Sequence, residues 1–215
     1  EKLFYCMCIQ KNAYRYSYGR QANKTLKDIM IPDDVPQWVK ENKIQPISTK
    51  TSCEKIELNI QNWKNYPMDY LFDFVKGKRL TKADMVPGNV NFLGAISENN
   101  GIREKITTSH YWKPNCITVN YNGSVGEAFY QSEPFWASDD VNVLYSKDFW
   151  MLNQYIAMFI ITVIKANKYR FGYGRKWTLE KMKDTVLRLP SKKDGTPDFE
   201  YMEKYIKALP YSDRI

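Results

Sequence analysis

One decapeptide of this chain is written twice, and the repetition limits what the chain can be. Asn12-Ala-Tyr-Arg-Tyr-Ser-Tyr-Gly-Arg-Gln21 returns as Asn167-Lys-Tyr-Arg-Phe-Gly-Tyr-Gly-Arg-Lys176, with Tyr14/Tyr169, Arg15/Arg170, Tyr18/Tyr173, Gly19/Gly174 and Arg20/Arg175 at one constant spacing. The surroundings recur in the same order. An apolar helical run precedes each copy (Leu3–Ile9; Tyr155–Ile164), and a Lys-Asp pair follows (Lys27-Asp28; Lys183-Asp184). Next come an aliphatic-Pro stop (Ile31-Pro32; Leu189-Pro190) and a Pro-led segment with an aromatic two residues on (Pro36, Trp38; Pro197, Phe199). A duplicated module is the expectation. In 215 residues there is room for one domain of common size, or one plus a fragment, and from the echo one complete unit and the tail of another are expected. Glu1 in place of Met reads as a trimmed or internal start.

The expected organisation places the end of a first module and a short spacer helix in residues 1–44. A polar linker follows over 45–55, then a complete module over 56–190 and a C-terminal helix and tail over 191–215. Residues 1–11 read as the end of a buried helix. Ile56, Leu58 and Ile60 alternate with Glu57 and Asn59, which predicts a half-buried strand. Further strands are expected over 90–96, 116–120, 127–130 and 141–145, with a buried helix over 150–166. Thr196 and Pro197 read as the cap and first position of a last helix, which carries Phe199, Met202, Ile206 and Leu209 on one face. Many short strands with a buried helix and a terminal amphipathic helix make an α+β fold.

Composition matters here through its distribution. Residues 165–183 hold seven Lys/Arg against one Glu, and residues 11–27 hold five and no acid; together they carry more positive charge than the chain's net +8. The basicity is local to the two copies, which points to a polyanion. Cys6, Cys8, Cys53 and Cys116 form no CxxC pair and His110 is the single histidine, so neither a disulfide framework nor a structural zinc site is expected. The longest apolar run, Tyr155–Ile164, is ten residues and too short to span a bilayer. A cytoplasmic setting is the expectation.

Candidate chemistry is sparse. Pro32-Asp33 with Glu41-Asn42-Lys43 fits the loose PD…ExK pattern of Mg²⁺ nucleases, but residues 38–43 read as helical and helix-start chemistry accounts for them better. Asn122-Gly-Ser-Val-Gly126 lacks the GxxxxGK(S/T) pattern, and no histidine stands near Ser124 to activate it; a strand-to-strand turn whose backbone N–H groups can meet a phosphate is the reading. The Asp33-Asp34 and Asp139-Asp140 pairs read as turn or cap residues, and no Asn/Asp-Pro-Pro-Tyr methyltransferase signature occurs. The basic-aromatic copies differ from all of these. Arg170, Arg175 and Lys176, with Arg15 and Arg20, supply donors for phosphates and guanine edges; Tyr169, Phe171 and Tyr173 supply rings; Gly172 and Gly174 allow close backbone approach.

Asn91-Phe-Leu-Gly-Ala-Ile-Ser-Glu-Asn-Asn-Gly-Ile102, then Gly123-Ser-Val-Gly126 with Phe129-Tyr130, then Phe135-Trp-Ala-Ser-Asp139, together resemble the target-recognition domain of restriction–modification specificity subunits. The Tyr-Gly-Arg segment, the Leu-Pro stop and the Pro-Asp-Phe-x-x-Met-Glu-x-Tyr-Ile helix (197–206) continue the match over residues 56–209, and the short last helix is closer to the BcgI-like arrangement than to type I subunits.

The resemblance implies a twisted, mainly antiparallel sheet, a buried helix and a C-terminal spacer helix. It also implies a non-catalytic polypeptide that reads one half of a bipartite double-stranded DNA site. S-adenosylmethionine and Mg²⁺ would be used by partner methyltransferase and restriction subunits. The expected DNA-facing loops are 76–82, 97–105, 121–130 and 168–176, with Arg79, Asn99, Asn100, Arg103, Ser124, Tyr169, Arg170, Arg175 and Lys176 as contacts. A recognition region of a fused restriction–methylation enzyme, and a carbohydrate-binding module drawing on sixteen Tyr and six Trp, are the alternatives.

Overall fold

The computed structural model describes residues 1–13, 16, 25–41, 55–172 and 174–215. Most of the first basic-aromatic copy, Arg15 and Arg20 included, lies outside them, as do Tyr173, Lys43 and nearly all of the expected linker. The chain divides into two compact units, Glu1–Ser48 and Thr49–Ile215.

In the first unit, α1 (Lys2–Lys11) and α2 (Gln37–Glu41) are helical. The first is not a buried helix: none of its residues is buried, and Leu3 and Met7 are 65% and 60% exposed. Leu3, Phe4, Met7, Trp38 and Val39 line an open groove of about 890 Å³. Among the described residues of this unit only Val35 is buried, so the apolar pattern of α1 has little described structure to cover it. Glu41 of the loose nuclease pattern lies on α2 and accepts from Gln37 Nε2 at 2.8 Å.

The second unit begins without the expected strand at 56–60. Ile60–Asn62 is a 3-10 turn, opened by the Asn59 side chain accepting from Gln61 N–H, and Leu58 and Ile60 are exposed. Five alternating residues are enough for a strand, as in β5 (Cys116–Asn120), but a strand also needs a neighbour to pair with, and 56–60 pairs with none among the described residues. Regular structure starts at β1 (Lys64–Pro67), α3 (Met68–Leu71), β2 (Phe72–Lys76), β3 (Pro87–Leu93) and β4 (Ile102–Ile106). It continues through β5 (Cys116–Asn120), β6 (Ala128–Gln131), β7 (Phe135–Ala137) and β8 (Val141–Ser146). The remainder is α4 (Gln154–Ala166), α5 (Leu179–Lys183), β9 (Val186–Leu189) and α6 (Phe199–Lys207).

The strands form three sheets in place of one: β2-β8-β5-β6, β4-β3-β7 and β1-β9, all paired antiparallel except β3 with β7. The four-stranded sheet is covered on both faces, so every residue of β5 is buried. Ile117 and Val119 share one core with α4, whereas Cys116 joins Phe92, Leu93, Ile106 and Phe135 of the smaller sheet. The period of two therefore sends alternate side chains into two cores.

Asn153 caps α4 by accepting from Tyr155 and Ile156 N–H, and the helix buries Ile156, Ala157, Phe159, Ile160, Ile161 and Ile164. Full burial of one such aliphatic or aromatic side chain contributes roughly 1.5–3 kcal/mol. The cap of α6 is Asp198, accepting from Tyr201 N–H at 3.0 Å, in place of Thr196. Thr196 turns on Asp194, and Pro197 bridges to Ser191 before the helix begins. Phe199 stacks on Trp150 at 4.2 Å, Met202 and Ile206 are buried, and Leu209 is left 39% exposed.

Candidate nucleic-acid interface

Strand direction decides what meets at the edge of the sheets. With β2, β8, β5 and β6 alternately antiparallel, the C-terminal ends of β2 and β5 and the N-terminal ends of β8 and β6 fall on one side. Leu93 pairs with both Ile102 and Ala137, so the second sheet delivers the loop 94–101 and the turn 138–140 to that side as well. The end of α4 arrives there through Lys165, which meets Glu127 at 3.0 Å.

These loops are tied to one another. Gly77 and Lys78 N–H donate to Val141 and Ala137 C=O at 3.0 and 2.9 Å, and Trp136 Nε1 donates to Lys78 C=O at 3.1 Å. A Cβ on Gly77 would stand 1.9 Å from Ser138 O, so only glycine fits that crossing. Tyr121 N–H and Asn122 Nδ2 donate to the backbone and side chain of Asp140. Asn120 Nδ2 and Ser124 N–H donate to Ile96 and Ala95 C=O at 2.9 and 3.2 Å.

The basic-aromatic segment completes the rim. Asn167 ends α4, with its Nδ2 donating to Val163 C=O, and Lys168–Arg170 is a 3-10 turn. Gly172 and Arg175 exchange both backbone hydrogen bonds, closing a hairpin, and Phe171 stacks on the fully buried Trp177. The face between the rings and the solvent is cationic: Tyr169 is 79% exposed, Arg170, Arg175 and Lys176 are exposed, and none of these three forms a salt bridge with a described residue. The Arg170 guanidinium stands 5.8 Å from the Phe171 ring centroid. Burial opposes the charge of Glu127, but hydrogen bonds from Lys168 and Lys165 outweigh it and hold its carboxyl below the ordinary value.

The expected contact residues fall on this rim in different ways. Arg79 is exposed in the loop after β2. Arg103 lies on β4, not in a loop, with its aliphatic stem over Gly94 and its Nε 4.0 Å from Glu104 Oε1. Asn99 and Asn100 take φ of 50° and 52°, and their Nδ2 groups donate to Ile102 C=O and Tyr130 C=O. Those amide donors shape the turn itself. The turn at 121–126 is less open to a phosphate than its glycines suggest, because the N–H groups of Ser124, Val125, Gly126 and Glu127 all donate inside the fold.

Sequence reasoning missed Glu127 and Trp177 and gave Trp136 only as part of the 135–139 motif, while Asp140, expected as a turn residue, accepts from Tyr121 N–H and Asn122 Nδ2. Glu127 carried a readable signal, an acid directly after a glycine turn in a domain whose cations cluster elsewhere. His110 is exposed and packs edge-on to Trp112 and Trp136. Among the described residues no group of three His, Cys, Asp or Glu is placed to hold a metal ion, and no helix is long and apolar enough to cross a membrane.

Residues 60–210 match the family described as type I restriction modification DNA specificity domain. The type II restriction enzyme BgcI specificity subunit S.BcgI of Heyndrickxia coagulans is 43% identical over 213 residues, covering 92% of this chain and 62% of that protein. The chain therefore spans somewhat less than two thirds of that curated relative. Among solved structures, the S subunit of a type I restriction–modification system from M. genitalium superposes with a TM-score of 0.54 at 20% identity, over 74% of this chain and 41% of the other. The HsdS subunit of Thermoanaerobacter tengcongensis gives 0.50 at 13% identity, over 74% and 38%. Both likenesses are of fold, and they agree with an α+β domain of mainly antiparallel sheets.

Proposed function

This chain belongs to the family of the type I restriction modification DNA specificity domain, and from that premise we propose that it reads sequence in double-stranded DNA for a restriction–modification system. The observation that carries the reading is the shared rim. Five loops from two sheets and one helix end meet on one side, and that side presents Arg79, Arg103, Arg170, Arg175 and Lys176 with the exposed Tyr169 ring. Arginine forks meet phosphates and guanine edges, and an exposed ring can stack or wedge.

In this reading the polypeptide does no chemistry. It directs a methyltransferase subunit and a restriction subunit to one half of a bipartite site, in the cytoplasm where the DNA lies. S-adenosylmethionine and Mg²⁺ belong to those partners. The 43% identity to a specificity subunit supports this assignment, and the repeated segment supports a second half-site read by an equivalent surface.

The test is a selection from random duplexes, run with the specificity polypeptide assembled with its partner subunits. One short sequence should be enriched. With about six phosphates neutralised, log K should fall with log[salt] at a slope of about −5. No enriched sequence, or an affinity indifferent to salt, overturns the proposal.

A further inference from the structure

The rim carries the acids Glu98, Asp139 and Asp140 in its other loops, but Glu127 alone among its described acids forms ion pairs with the lysines that lead into the basic segment. Glu127 stands between the glycine turn and β6, its side chain is only 13% exposed, and both carboxylate oxygens are taken: Oε1 by Lys168 at 2.6 Å and Oε2 by Lys165 at 3.0 Å. Its neighbours press on the same segments. A Cβ on Gly126 would stand 2.4 Å from Lys168 Cβ and 3.2 Å from Lys168 Cα, so the turn lies directly against the start of the basic hairpin. Phe129, two residues beyond Glu127 and on the same side of the strand, lies under Lys165 Nζ at 4.8 Å. Its ring edge is 3.2 Å from where a Cβ on Gly101 would be. Residues 126–129 therefore touch the basic hairpin on one side and the Asn-Asn-Gly turn on the other.

We propose that Glu127 is a positioning residue for sequence discrimination: by drawing Lys165 and Lys168 together it sets the path of segment 168–176 over the DNA and does not itself touch the duplex. The proposal rests on the DNA-reading function above. It has two consequences. Lys165 and Lys168 share one carboxylate, which offsets one of their two charges and holds both ammonium groups toward Glu127, so together they count for less against phosphates. Arg170, Arg175 and Lys176, free of such partners among the described residues, approach the DNA from a base whose position Glu127 holds. An ion pair with two donors and little exposure fixes geometry better than an exposed single pair.

The experiment compares the parent, Glu127→Gln and Lys168→Met, each assembled with its partner subunits. Binding to the selected duplex and to a scrambled one is measured over a salt series. The two substitutions change the charge of the surface in opposite directions. If Glu127 positions the hairpin, both lower the ratio of specific to non-specific affinity, by about tenfold for the loss of a charge-assisted hydrogen bond. Glu127→Gln should also raise non-specific affinity and steepen the salt slope as two lysines are released. Lys168 is half exposed, so Lys168→Met supplies the answer if Glu127→Gln fails to fold. Equal strengthening of both duplexes by Glu127→Gln, with Lys168→Met weakening both equally, would show a plain charge effect and overturn the proposal, as would unchanged ratios. A parent that prefers neither duplex overturns the functional reading itself.

Discussion

Phe171 lies flat on Trp177, with ring centroids 4.6 Å apart and planes within 9° of parallel. Trp177 is fully buried and its Nε1 donates to Thr185 Oγ1 at 2.9 Å, so the hairpin that carries Arg170 and Arg175 leaves the core through a fixed aromatic pair. Phe171→Ala is expected to destabilise the domain by about 1–3 kcal/mol, because the ring is half-buried and the stack is lost with it. It should also weaken DNA binding. Phe171→Tyr keeps the stack and should stay near the parent in urea unfolding; equal losses from both would mean the stack contributes nothing.

Arg170, Arg175 and Lys176 have no salt-bridge partner among the described residues. Substitution of each by Ala should leave the melting midpoint close to the parent, within about 0.5 kcal/mol in stability. A residue that meets a phosphate should flatten the salt slope by about one, and a residue that reads a guanine should lower discrimination by roughly 1–3 kcal/mol at one base pair. Titration of the selected duplex at several salt concentrations separates the two.

Two glycines of the rim should respond in opposite ways. At Gly77 a Cβ meets backbone oxygens of Ser138 at 1.9 Å and Val141 at 2.7 Å, whereas at Gly174 nothing lies within 4 Å. Gly77→Ala is expected to destabilise by about 1–3 kcal/mol through overpacking and to displace the loop carrying Arg79. Gly174→Ala should be nearly neutral in thermal unfolding yet weaken DNA binding if the backbone there approaches the duplex. A Gly77→Ala domain as stable as the parent would contradict the close crossing of Gly77 and Ser138.

The Glu127 cluster makes a pH prediction. Its carboxyl is held below the ordinary value by Lys168 and Lys165 against the opposing effect of burial, so the stabilisation is fully present above the unfolded-state pKa. It is lost as pH falls through the lower folded-state pKa. The stability difference between the parent and Glu127→Gln should therefore be constant at neutral pH and narrow on acidification. Denaturation curves for both proteins between neutral and acidic pH check this; a gap that widens in acid has the wrong sign.

Cys116 offers a simpler control. Burial pushes its thiol up to about 12, while Cys6 is exposed. An alkylating reagent at neutral pH should modify Cys6 in the native protein and Cys116 only after unfolding, as mass spectrometry of digested samples would show.

Local pattern carried a definite part of this protein. The run Tyr155–Ile164 is apolar on nearly every side and became the buried α4; the spacing of Met202 and Ile206 placed α6; Cys116–Asn120 became a strand in register. These are short-range consequences of helical and strand periods, and the repeated Tyr-Gly-Arg segment is likewise visible in one dimension. Tertiary structure decided what those periods could not. Ile56–Ile60 alternates yet finds no strand to pair with, and the apolar face of α1 is exposed. Above all, the meeting of residues 77–79, 94–101, 121–127 and 138–140 on one side follows from strand direction in two sheets, the parallel β3–β7 pair included, and the end of α4 joins them through Lys165 and Lys168. Glu127 acquires its meaning only there, because its charge partners Lys165 and Lys168 lie across the fold, 38 and 41 residues away in sequence, where no local period can point to them.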